Sequence, residues 1–262
     1  MLKTRLIPVL LLKNGLLVRS ESFQIHQVFG NPIHEVDRFN AWNVDELVYL
    51  DISRNTEYDL RRDDSKVSRL HNPLAILERV SRSCFMPLTW GGRIRTIEDM
   101  RTCFKCGADK VTINTAAINN PSLITQAANL FGRQAIVVSI DAKLRNGGGY
   151  EVYVNCGQTP TGVPVTEWAT EVASLGAGEI FLQSIDQDGM AEGYDCGLIK
   201  DVCSRVAIPV VCCGGVGNFD DYAAGVEAGA SAVAAANLWH FKELADRAGK
   251  RALAMAGVCV RQ

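Results

Sequence analysis

The chain is short of histidine, of net charge and of long apolar runs, and each shortage excludes something. Only four histidines occur in 262 residues: His26, His34, His71 and His240. They are scattered, with no partner at ligand or triad spacing, so neither a metal centre nor a nucleophilic triad is expected, and no cofactor is called for. Twenty-seven basic against 29 acidic residues leave a net charge of −2. That balance gives no field for nucleic acid. No apolar run reaches the roughly 18–20 residues of a membrane span. The opening Met-Leu-Lys-Thr-Arg leads straight into a strand-like run, so no signal peptide is expected. The nine cysteines are odd in number. Without a secretion signal they point to a reducing cytoplasm and not to a disulfide framework. Cys103 and Cys106 form a CxxC on a helix-like stretch with no second ligand pair, which reads as two helix thiols.

What the chain does have is an internal repeat. Strand-like segments of the first half return in order in the second: 6–13 with 135–143, 45–53 with 178–186, 86–92 with 208–215, and 108–114 with 230–237. These are near-continuous apolar runs, as in a parallel sheet covered on both faces. Helix-like stretches lie between them, at 32–44, 74–83, 97–107, 121–131, 166–175, 197–204, 220–228 and 241–256, with Thr96, Asn120 and Asn218 as candidate N-caps. Two copies of four βα units make a (β/α)8 TIM barrel. One domain over 1–262 is expected, with half-barrels of about 1–130 and 131–262. Segments 20–31 and 54–69 read as long loops on the catalytic face, the second heavily charged.

Chemistry-bearing residues gather at the strand ends. Gly91-Gly92 and Gly214-Gly215 each close a strand, and each is followed one βα unit later by a strand ending in asparagine: Asn114, then Thr115, and Asn237. Glycines there let backbone N–H groups approach a phosphate closely. Two such cradles imply a phosphorylated small molecule with a phosphate at each end. Asp141 ends the strand of 135–143, whereas the matching position in the first half is Leu11. Asp51 and Asp186 form a second symmetric pair, with Asp188-Gly189 close by. At the strand starts stand Arg5, Glu46, Lys110 and Glu179, two cations and two anions on the opposite rim.

These residues resemble the HisF family, the cyclase subunit of imidazole glycerol phosphate synthase, over essentially the whole chain. The resemblance is carried by Asp-Glu-Leu-Val-Tyr-Leu-Asp-Ile (45–52), Gly-Ala-Asp-Lys-Val-Thr-Ile-Asn-Thr-Ala-Ala (107–117), Ile-Asp-Ala-Lys (140–143) and Ser-Ile-Asp-Gln-Asp-Gly (184–189) followed by Gly-Tyr-Asp. It implies a glutaminase partner on the barrel bottom, touching Asp109, and an ammonia gate of Arg5, Glu46, Lys110 and Glu179. It also implies a first phosphate site at Gly91, Gly92, Asn114 and Thr115, a second at Asp188, Gly189, Gly214 and Gly215, and catalysis by two aspartates. One is Asp141; the other position is Leu11, which cannot move a proton. Arg93, Gln183, Met190, Asn237 and Arg19 depart from the family pattern, and 54–69 is longer than the family's loop.

An intact bottom beneath an altered top is similar to the AglZ-type branch of the family. That resemblance implies a barrel passing ammonia from a glutaminase to a separate sugar amidotransferase that forms an acetamidino sugar for surface polysaccharide. Two other expectations stand beside it: a histidine-pathway cyclase in which another group replaces the missing carboxylate, and a scaffold that only docks and regulates a glutaminase.

Overall fold

A computed structural model describes residues 3–42, 44–54, 58, 70, 72–242 and 244–261. Among the described residues, twelve strands form one sheet. They are β1 (Arg5–Lys13), β2 (Leu16–Glu21), β3 (Ile25–Gly30), β4 (Leu47–Asp51), β5 (Leu88–Gly91), β6 (Lys110–Ile113), β7 (Ile136–Leu144), β8 (Tyr150–Val154), β9 (Thr159–Pro164), β10 (Glu179–Ser184), β11 (Val210–Cys213) and β12 (Ala232–Ala235). Eight pair in parallel in the order β1-β4-β5-β6-β7-β10-β11-β12, and β12 returns to β1. The result is a closed (β/α)8 barrel with helices between its strands.

The repeat produces the barrel through alternation. On β1, Ile7, Val9 and Leu11 point into the apolar lumen, while Leu6, Leu10 and Leu12 join the larger core between sheet and helices. The amphipathic helices supply the other face, for instance Met100 and Cys103 from Ile97–Lys105. Thr96 caps that helix in a full capping box with Asp99. Cys103 is buried in the core, with its thiol pushed up to about 12 by desolvation. Cys106 caps the helix end, so the CxxC is built into helix packing.

Some expectations need correction. Asn120 and Asn218 do not cap: the residues at those helix starts are Pro121 and Asp220, and Asn218 instead accepts from the Asp220 amide within the preceding turn. Segment 20–31 is no loop. β1 turns through Asn14 (φ 53°) and Gly15 (φ 79°) into the antiparallel pair β2–β3. An Asn-Gly between apolar runs is a strong hairpin signal, because both residues accept the positive φ of a tight turn. The second half does the same after β7, through β8 and β9. Each half-barrel thus raises a hairpin over the C-terminal ends of its strands. Most of 54–69 lies outside the described residues; Arg54 and Tyr58 are within them. Among the described residues no helix is long and apolar enough to cross a membrane.

Candidate functional site

At the strand starts, the four charged residues close a ring. Arg5 bridges Glu46 at 2.6 Å and also pairs with Glu179. Lys110 reaches the same two carboxylates at 2.9 and 3.1 Å. The Thr89 hydroxyl donates to Glu46 at 2.9 Å. Burial alone would raise the Glu46 pKa, but Lys110 and Arg5 hold it below the ordinary value. Asp109 is exposed beside the ring and accepts from the Leu88 amide at 2.8 Å.

Directly above the ring lies a small cavity, with about 10 Å³ open to the centre of a water-sized molecule. That is room for about one such molecule. Glu46, Thr89 and Glu179 line it below; Ile7, Val48, Val137, Phe181 and Val211 make its walls. Thr112 lines this cavity and also the large one at the barrel top. Its hydroxyl oxygen is buried and has no partner among the described residues. Thr112 lies within a predicted strand, and the apolar-run reading gave it no role.

The top cavity has a volume of about 660 Å³, within the usual range for small-molecule sites. Asp141, on β7, lines it and is pushed up to about 7. Burial is the main cause, and the nearby Asp188 charge adds to it, against a hydrogen bond from Ser139 at 3.3 Å. A carboxyl with a pKa near neutrality serves as general acid or base. Leu11, 4% exposed, lines the same cavity from β1. Asp51 also lines it, but its carboxylate is engaged by Arg93 at 3.0 Å, by the Ser53 hydroxyl and amide, and by the Tyr58 hydroxyl at 3.2 Å. Its supposed counterpart Asp186 is an exposed loop anchor, accepting from the Leu144 amide at 2.9 Å, so the symmetric pair is not equivalent.

Of the first predicted phosphate set, Gly92, Asn114 and Thr115 line the cavity. Gly91 is not among the lining residues; a Cβ there would collide with Thr112 and Leu50. Among the described residues, four cations face the same space: Lys13, Arg54, Arg93 and Arg95. Lys13, Arg95 and His26 were missed in the sequence, although the repeat aligns Lys13 with Lys143. Arg93 sits at φ 61°, a conformation that favours glycine, and its ion pair to Asp51 offsets that strain. None of the second set, Asp188, Gly189, Gly214, Gly215 and Asn237, is among the residues lining this cavity; Asp188 and Asn237 both bind Ser20. Among the described residues no three His, Cys, Asp or Glu side chains come together as a metal site.

Residues 5–245 match the model of a family described as "Histidine biosynthesis protein". The chain is also 40% identical, over 261 residues, to the imidazole glycerol phosphate synthase subunit HisF of Gluconacetobacter diazotrophicus, covering 100% of this chain and 97% of that relative. This chain belongs to the HisF family. Within a HisF-family barrel, Leu11 and Asp141 stand at opposite members of the repeat, and only one carries a carboxylate.

Proposed function

We propose that this chain is the barrel subunit of a glutamine-dependent HisF-type assembly. A glutaminase docks on the bottom face; its ammonia passes the charged ring, crosses the apolar lumen and is consumed at the top. The observation that carries this reading is the closed ring of Arg5, Glu46, Lys110 and Glu179 beneath a water-sized cavity that shares Thr112 with the mouth. An apolar lumen suits neutral ammonia and disfavours ammonium, because an unpaired charge is costly to desolvate. The Thr112 hydroxyl offers a hydrogen-bonding station between the two cavities.

For the chemistry at the top, the family description and the relative's name favour the cyclase step of histidine biosynthesis over the acetamidino-sugar reading. In that step a bisphosphorylated ribulosyl intermediate and ammonia give imidazole glycerol phosphate and an aminoimidazole carboxamide ribotide. Asp141 is the residue poised to move protons. A second reading rests on Leu11: with one carboxylate lost and Asp51 tied to Arg93, the barrel delivers ammonia to a separate sugar amidotransferase. Removing a positioned acid or base lowers turnover by about 10²–10⁴.

Complementation of a histidine auxotroph lacking the cyclase separates the two. Growth at the normal rate supports the cyclase; failure of a well-expressed, glutaminase-binding chain supports delivery. Leu11→Asp is expected to raise cyclase turnover yet leave it below that of the relative, because Arg93 and Gln183, which line the mouth, also depart from the family pattern. Full recovery by that single change would show that one residue alone had diverged.

A further inference from the structure

The geometry points to His26, held by Lys13, as the group that gives protons to the ligand in the mouth, with Asp141 as the group that takes them. β1 and the β2–β3 hairpin bring the pair together. Leu11 and Lys13 lie two positions apart on β1, on one face of the strand, and both line the mouth. Ser20 on β2 and His26 on β3 stand directly opposite each other in the hairpin, so their side chains share a face, and both line the mouth as well. Lys13 Nζ donates to His26 Nδ1 at 3.1 Å.

The repeat is broken at this point. Lys143, which aligns with Lys13, lies over the Tyr153 ring at 5.8 Å and is not among the residues lining the mouth. The second half thus presents the Asp141 carboxyl to the mouth and keeps its lysine out of the lining. The first half has the apolar Leu11 in the carboxyl's place and presents its lysine, against an imidazole.

Elimination reaches the same pair. Among the described residues lining the mouth, Arg54, Arg93 and Arg95 are guanidiniums, which do not give up protons in proteins. Asp51 has both oxygens engaged, one by Ser53 and the other by Arg93 and Tyr58. The Cys156 thiol is pushed up by burial and keeps its proton. Asp141, His26 and Lys13 remain.

The pairing also decides the tautomer. A lysine ammonium has donors only, so His26 Nδ1 accepts and the ring's own proton sits on Nε2. Burial lowers the His26 pKa from its ordinary 6.5, the charges of Lys13 and Arg54 lower it further, and the Gln24 backbone pulls the other way. The ring is therefore neutral at pH 7. The step moves one proton and makes no bond to His26. Nε2–H passes its proton to a ligand oxygen or nitrogen that is gaining negative charge, while Nδ1 takes one from the Lys13 ammonium. A proton from water at Nε2, with the Nδ1 proton returned to the Lys13 amine, restores the starting pair. Asp141, ionised above about 7, accepts the proton that the ligand loses.

This inference rests on the cyclase reading of the top face. It is tested on the purified full chain with the bisphosphorylated ribulosyl intermediate and with ammonium in place of glutamine, so neither the glutaminase nor the charged ring enters. His26→Gln keeps an acceptor for Lys13 but cannot relay a proton; kcat should fall by about 10²–10⁴ with KM within about threefold of the parent. His26→Ala should fall as far, and added imidazole should restore its kcat by about tenfold or more, which a purely structural loss would not allow. Where one variant fails to fold, the other decides. A kcat in either variant within about tenfold of the parent, a loss carried by KM instead, or no recovery of His26→Ala with imidazole would each overturn the inference and leave the cyclase reading standing. A parent with no turnover would sink the cyclase reading and this inference with it.

Discussion

Asp141→Asn is expected to yield a chain more stable than its parent above neutral pH. The native carboxyl holds its proton up to about 7, against an ordinary value of 3.8. Between those values the native state binds more protons than the unfolded state, so the parent loses stability as pH rises through that window. The loss reaches about 4 kcal/mol at pH 8, because every tenfold difference in proton affinity between the two states corresponds to about 1.4 kcal/mol. Asparagine cannot ionise and escapes it. Urea midpoints at pH 5 and pH 8 should show the gap between variant and parent widening by about 2–3 kcal/mol. A gap independent of pH would mean that Asp141 titrates normally. The same variant separates the two top-face chemistries: cyclase turnover should fall by about 10²–10⁴, whereas ammonia delivery to a second enzyme should persist.

Lys110→Ala carries the second large effect. It removes the cation that joins Glu46 to Glu179, leaving two buried carboxylates with Arg5 alone between them. Breaking a buried pair in this way costs about 3–5 kcal/mol. Glu46 is held below its ordinary pKa in the parent, so its contribution is present above about pH 4.5 and is lost as pH falls through the native value. The deficit of the variant should therefore be largest at pH 7 and shrink towards pH 4. An equal deficit at both would assign the loss to packing of the lysine stem. In the assembly, the opened ring should let ammonia escape, so glutamine hydrolysis outruns product formation. Unchanged coupling would leave the ring a purely structural feature.

The barrel was legible in the sequence because its causes are local and repeated: apolar strand runs, helical stretches between them, and a second half that copies the first. The ring residues were legible as charges at strand starts, but their closure was not. It depends on side chains from β1, β6 and β10, and from the residue just before β4, meeting across the barrel axis. The top face was harder still. Segment 20–31 was read as a loop although Asn14-Gly15 carries a hairpin signal, and where the hairpin lands is fixed by contacts between Ser20 and Asp188 or Asn237, 168 and 217 positions away. The glycines and Asn237 were found by symmetry. Symmetry also paired Asp51 with Asp186, which the fold sends to different tasks: one to Arg93 in the mouth, the other to a backbone amide.

The most direct measurement of the central claim is an isotope competition. The barrel and its glutaminase are supplied with amide-15N glutamine, with unlabelled ammonium in the bulk, and with the acceptor that the complementation result selects. If ammonia travels from ring to mouth through the lumen, the product carries 15N well above the bulk ratio, and Lys110→Ala brings it down towards that ratio. A product from the parent chain that simply matches the bulk isotope ratio would contradict the account.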